Sequence, residues 1–346
     1  MAGSWPETVV FWTAHYDPRC EAISREIRAL RQAVPHSRVL SLTEKGRPAG
    51  IAEAGACWLR PRTYRAAARP LAWWLDRGRP VHHIFHGWPP TPFLARLRGR
   101  RTVMTCISAL PEDWDHRATA QTVRLLAVEC PRVHQQALAA GWPEERLRCI
   151  LPGVDLDEFH PAPPPPAEKP FTVVFAGVPF LPGYAEARGL DVVLGAARLM
   201  PEVRFRLLCR GYVPGAVEEV RRGGPANLEI ETTIHADMHA VYTDCHATVA
   251  PFRAGLFNKS CPNSLIESLA SGRPVLASEE VGIAPFLAEQ RAAVTFPPTP
   301  EGLANAVEAL RSRYEEWRSA ARPCAERHFG LPRFLDAYRD LYAGLE

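Results

Sequence analysis

Asn258 to Ser278 reads "NKSCPNSLIESLASGRPVLAS" and gathers residue types that can hold a phosphorylated ligand. Lys259 leads into Cys-Pro-Asn-Ser, and an apolar-patterned segment follows with Glu267 one turn further in. Pro262 suits a first helical turn, where its missing N–H costs nothing. Gly272 suits a left-handed stop, so a helix is predicted over Asn263 to Ser271. A helix start presents unpaired N–H groups and about half a positive charge, which favours phosphate oxygens. Asn263 and Ser264 are short enough to let phosphate approach and can donate hydrogen bonds themselves. Lys259 and Arg253 can add countercharge. Glu267 shares the face of Asn263 and Ser264. A carboxylate at that depth sits badly against phosphate and well against the paired hydroxyls of a ribose. The segment therefore fits half of a nucleoside diphosphate, although an ordinary capped helix with an exposed glutamate fits the same pattern.

Two histidines could serve a second substrate. His15 in "TAHYD" and His86 in "HIFHGW" each follow an apolar run. Either could orient an acceptor hydroxyl or take its proton, and either could instead be satisfied by local hydrogen bonds. Asp17 is expected to cap a helix. His235, His239 and His246 with Asp237 are metal-ligand types, with two of the histidines at i,i+4. That segment reads more simply as a helix leading into a strand, so no metal is expected. Asp113/Asp115 and Asp155/Asp157 do not follow suitable strands for metal-dependent transfer.

The elements that must position these groups alternate between strand and helix. "TVVFWTA" is a buried-strand run, after which Asp17-Pro18 opens a helix with Ile23, Ile27, Leu30 and Val34 at helical spacing. "RVLSL", "VHHIFHG", "RTVMTC", "RLLAV" and "LRCILPG" continue the rhythm. "LPGVDLDEFHPAPPPPAEKP" breaks it, because consecutive prolines supply no ladder donors and make a stiff connector. The rhythm then restarts with "FTVVFAG", "GLDVVLGAARLM", "VRFRLLCRG", "NLEIET" and "HATVAPF". Two α/β halves with parallel sheets follow from this pattern, and ligands of such sheets bind beyond the carboxyl ends of the strands. The cleft between the halves is the natural site.

Bulk properties exclude several classes. A chain of 346 residues usually needs more than one core. A net charge of +3 is too small to argue for nucleic acid as a partner. No apolar run reaches the roughly 18 residues of a membrane span, and residues 1–20 show no signal-peptide pattern. Nine scattered cysteines without a CxxC pair suit a reducing cytoplasm. Of the basic residues only Lys45, Lys169 and Lys259 are lysines. "ARLRGRR" (Ala95–Arg101), after Phe93 and Leu94, could touch anionic lipid headgroups, although such a stretch is usually a solvated helix end.

"CPNSLIESLASGRPVLASEEVG" resembles the "PN-x-L-L-E-A-M-A-x-G-x-P-V-I-A-S-x-x-x-G" signature of family 4 of the nucleotide-sugar glycosyltransferases, retaining enzymes of GT-B fold. "ILPGVDLDEFHP" is similar to that family's "IPNGVD-x-x-x-F-x-P", and "FAGVPFLPGYAEARGLDVVLGAARLM" to its "VGRL-x-x-x-KG-x-D-x-L-L-x-A". The likeness is good over about 147–282, while residues 1–140 match in rhythm and in "HIFHG" alone. It implies two Rossmann-like, doubly wound domains facing across a cleft: an acceptor-binding domain over 1–155 and a proline-rich linker over 156–170. A donor-binding domain over 171–330 and a helix over 331–346 returning to the first domain complete it. By the match Arg188 contacts the diphosphate, Glu267 holds the ribose, and the amides of Ser264 and Leu265 meet phosphate.

Three departures accompany the likeness. Lys259 stands where the family often has a sugar-binding glutamate, Val178 stands where it has an arginine, and "AHYDPRC" replaces a Gly-Gly loop. Lys259 could restore the countercharge that Val178 removes. The expectation is a cytoplasmic, metal-independent transferase moving a sugar, with retention, from a nucleoside-diphosphate sugar to an acceptor hydroxyl. Lys259, Arg188 and His86 are its catalytic candidates. Asn263, Ser264, Leu265, Glu267 and Arg188 would bind the donor, and His15 and His86 would face the acceptor. The acceptor would be a glycan, a glycolipid or a small natural product, with peripheral contact at the inner face of a membrane if it is lipid-linked. Two rivals stay open: an inactive sugar-nucleotide-binding partner protein, and a sugar-nucleotide epimerase of the same architecture.

Overall fold

The computed structural model describes residues 4–345 apart from 20, 43–52, 61, 64–74, 76–78, 88–96, 98–99, 181–183, 213 and 256–257. Most of the basic stretch 95–101, with Phe93 and Leu94, lies outside the described residues. The chain divides into two compact units, Met1–Gly153 with Pro332–Glu346, and Val154–Leu331.

The first unit is built on seven strands: β1 (Thr8–Thr13), β2 (His36–Leu42), β3 (Ala56–Leu59), β4 (Val81–His86), β5 (Thr102–Cys106), β6 (Leu125–Val128) and β7 (Leu147–Cys149). Their order is β3-β2-β1-β4-β5-β6-β7, and every pair is parallel. Val9, Val10 and Phe11 are fully buried, as expected of a parallel strand covered on both faces. Helices α1 (Ala22–Ala33), α2 (His116–Ala120) and α3 (Pro131–Ala139) lie between the strands in sequence.

In the second unit the strands are β8 (Thr172–Phe180), β9 (Arg204–Tyr212), β10 (Leu228–Glu231), β11 (Ala247–Ala250), β12 (Val275–Ser278) and β13 (Ala293–Phe296). Its order, β10-β9-β8-β11-β12-β13, repeats the first unit's pattern, again all parallel. The helices are α4 (Tyr184–Ala187), α5 (Leu190–Leu199), α6 (Pro214–Gly223), α7 (Met238–Thr243), α8 (Asn263–Ala270), α9 (Ala284–Glu289), α10 (Pro300–Ser312) and α11 (Tyr314–His328). In each unit the strand order reverses once, between β1 and β4 and between β8 and β11. An open sheet leaves a crevice at that switch, beyond the carboxyl ends of the two strands.

The last helix, α12 (Leu331–Ala343), belongs to the first unit from Pro332 onward. Phe334, Tyr338, Leu341 and Tyr342 form its buried face. His83 on β4 is fully buried and shares hydrogen bonds with the Tyr342 hydroxyl (2.6 Å) and Thr105 Oγ1 (2.8 Å), and Thr105 bonds Tyr338 (2.8 Å). Burial pushes the His83 pKa well below its ordinary value, which keeps the ring neutral among these partners.

One local expectation is corrected. Helix α1 starts at Ala22 with Glu21 as its cap, because the Asp17 carboxylate is taken by the Arg19 amide and guanidinium. The proline-rich stretch is fastened to the second unit by two arginines. Buried Arg273 donates to Ala162 O and Pro163 O, and Arg322 to Phe159 O and Ala270 O.

Candidate functional site

The second unit's switch point is lined by the segment after β8 and the loop between β11 and α8. Helix α8 starts at Asn263 as predicted, and its N-cap, Pro262, makes no side-chain cap. The helix ends where predicted, Ser271 closing it and Gly272 turning left-handed at φ +73°. At the tip Cys261 and Pro262 are buried and Asn263 is 7% exposed, while Ser264 is half-buried. The Leu265 amide donates to Pro262 O (3.0 Å). That bond draws Leu265's N–H into the first turn.

Lys259 is half-buried and its Nζ donates to Asn263 Oδ1, which sets an ammonium beside the helix start. Glu267 does not point to bulk solvent: it is 8% exposed, and its Oε2 accepts from the Tyr242 hydroxyl at 2.8 Å. A carboxylate pinned at one oxygen is a rigid acceptor for hydroxyl groups. Tyr242 on α7 was not legible as a site residue, since its helical spacing suits a core position equally well.

Arg188 follows α4, and its guanidinium carbon sits 4.6 Å from the centroid of the Phe252 ring, just past β11. A cation over an aromatic face is held in place while keeping its charge. The turn beneath it is tight. Gly189 has φ +72°, and a Cβ there would lie 2.0 Å from Pro251 O. Glycine is therefore required for the Arg188 segment to approach the β11 loop so closely.

Arg253 is corrected from a countercharge for ligand to a brace. Its two terminal nitrogens bind the two Asp191 oxygens at 2.6 Å, and one also donates to Glu186 O at 2.9 Å. Those hydrogen bonds hold the Asp191 carboxyl below its ordinary pKa. Val178 is buried within β8, next to a register shift at Gly177, so no cation is supplied from that position.

His15 follows β1 and His86 is the last residue of β4, neighbouring strands at the first unit's switch point, and both are half-buried. The three histidines of the second unit do not converge. His235 pairs with Glu231, His239 contacts Ser271, and His246 Nδ1 accepts from the Thr172 amide. Among the described residues no helix is long and apolar enough to cross a membrane.

Residues 171–313 match the family model of glycosyl transferases group 1. Curated protein sequences give no match. Solved structures are similar over nearly the whole chain. A glycosyltransferase from Rickettsia africae ESF-5 has TM-score 0.73, 13% identity and 98% of both chains covered. Sucrose-phosphate synthase from Thermosynechococcus elongatus has TM-score 0.73 and 17% identity, covering 97% of this chain and 99% of its own. Anabaena Alr3699/HepE in complex with UDP has TM-score 0.70 and 14% identity, covering 96% and 98%. The chain has the GT-B fold, and residues 171–313 of its second unit match the glycosyl transferases group 1 model.

Proposed function

We propose that the protein is a retaining glycosyltransferase that moves a sugar from a nucleoside-diphosphate sugar to an acceptor hydroxyl without a metal. One observation carries the reading. Asn258 ties the segment carrying Arg188 to the loop that leads through Lys259 into the start of α8, at the switch point of a sheet that lies inside the matched residues. The UDP complex of Anabaena Alr3699/HepE makes a uridine nucleotide the first donor to try.

Sugar transfer builds negative charge on the departing diphosphate and positive charge on the sugar carbon. Fixed dipoles and cations placed at the leaving group lower that barrier. Arg188 is oriented by the Phe252 ring and Lys259 by Asn263, so both charges are set before the ligand arrives. The Ser264 amide adds the helix dipole. Glu267, steadied by Tyr242, takes the ribose hydroxyls. No side chain is assigned as a nucleophile. His86 and His15 are the acceptor-side candidates, and the proton of the acceptor hydroxyl can go to His86 or to the leaving phosphate itself. The acceptor is a glycan, glycolipid or small natural product, met in the cytoplasm or at the inner face of a membrane.

Incubation with UDP-, GDP- and ADP-sugars, with and without acceptors and with EDTA, tests this reading. Acceptor-dependent release of nucleoside diphosphate that survives EDTA is expected. Binding without release would favour a non-catalytic partner, conversion of donor without acceptor an epimerase, and absence of binding would sink all three.

A further inference from the structure

We infer that Asn258 and the Asp191–Arg253 pair are positioning residues that set the Arg188 guanidinium at the leaving-group site. The inference rests on the donor reading above. Asn258 is 6% exposed, and its side-chain amide bridges the two segments by donating to Ala187 O and to Arg253 O, each at 2.9 Å. The acceptor on one side is the residue immediately before Arg188. From the other side the Arg253 amide donates to the same Ala187 carbonyl at 3.0 Å, and its guanidinium grips Glu186 O and both Asp191 oxygens. Gly189 against Pro251 O completes the clasp.

Residues 186–191 are thus sewn to the β11 loop on both sides of Arg188, and the Phe252 ring backs its guanidinium. The pattern is more than the fold demands. Asp191 and Arg253 side chains are 56% and 32% exposed, and an ion pair so open to solvent adds little to stability. Yet two side chains, Asn258 and Arg253, converge on one short backbone segment whose outstanding feature is a single cation. Placing a charge accurately matters more for stabilising a transition state than for holding a loop.

The test is a pair of double-mutant cycles read by calorimetric titration with UDP, GDP and ADP, using whichever binds most tightly. In the otherwise unchanged protein Asp191→Asn should weaken binding about 5-fold and Asn258→Ala about 10-fold. In an Arg188→Ala background each should change affinity less than about 2-fold, because the group being positioned is gone. Equal losses in both backgrounds would overturn the inference and leave the donor reading standing. If Asn258→Ala lowers the melting temperature, the exposed Asp191→Asn variant still decides. Failure of the unmutated protein to bind any of the three nucleotides would overturn the donor reading and this inference with it.

Discussion

The two units share one strand order, yet they use their polar groups differently. In the first, a buried polar cluster, His83 with Thr105, Tyr338 and Tyr342, ties the C-terminal helix to the sheet. Its switch point carries His15 and His86. In the second, besides the Arg273 and Arg322 contacts to the proline-rich stretch, polar contacts gather at the switch point, where Asn258, Arg253 and Asp191 fix a loop carrying Arg188. The same sheet topology therefore supports two roles, and loop chemistry decides which. Under the proposed function, a ligand of high charge belongs with the second unit and a neutral hydroxyl acceptor with the first.

The comparison can be broken in several ways. The largest effect expected is on turnover. Arg188→Ala or Lys259→Ala should slow the chemical step about 100- to 1,000-fold, the scale seen when one preorganised charge-stabilising group is lost. A loss confined to KM would show that the cation only binds ground-state substrate. Glu267→Ala should weaken nucleotide binding by about 1–3 kcal/mol, since it removes charged hydrogen bonds. Tyr242→Phe should do less, because it frees the carboxylate without removing it. Unchanged affinity in Glu267→Ala, measured by titration, would remove the ribose role.

A third prediction concerns pH and the second unit alone. His246 is buried, and desolvation with the nearby Arg273 charge lowers its pKa from 6.5 to about 4. Its neutral ring accepts from the Thr172 amide at 3.0 Å, a bond that protonation at Nδ1 destroys. Between pH 6.5 and 4 the unfolded chain holds the extra proton, so stability is full above 6.5 and falls on acidification through that window. His246 should contribute on the order of 2 kcal/mol to that fall. Denaturant titrations across the window should show a shallower slope for His246→Asn, and an unaltered slope would contradict the assignment. The smallest effect is in the first unit. Tyr342→Phe should cost about 1 kcal/mol of stability and leave nucleotide affinity unchanged. A matching loss of affinity would erase the contrast between the units.

Legibility in the sequence followed the same division. Apolar runs such as "TVVFWT" and "FTVVFAG" marked the parallel strands, because strands buried on both faces leave no alternation to hide. The start of α8 was readable from Pro262, Asn263 and Ser264, and its end from Gly272. What sequence could not supply was contact across the switch point. Arg253 looked like a countercharge for ligand because nothing in "PFRAG" reveals that Asp191, sixty-two residues earlier, would claim it. Asn258 and Tyr242 were missed for the same reason: their partners are distant in the chain. Asp17 failed as a cap because a neighbouring arginine outcompeted the helix amides for its carboxylate.

The most direct measurement is a crystal structure of the protein with a bound nucleoside-diphosphate sugar or its nucleotide. The account predicts phosphate oxygens within hydrogen-bonding distance of the Ser264 amide, Arg188 and Lys259, with a ribose hydroxyl on Glu267. A nucleotide seated instead at the carboxyl ends of β1 and β4, or away from Arg188 and Glu267 altogether, would contradict it.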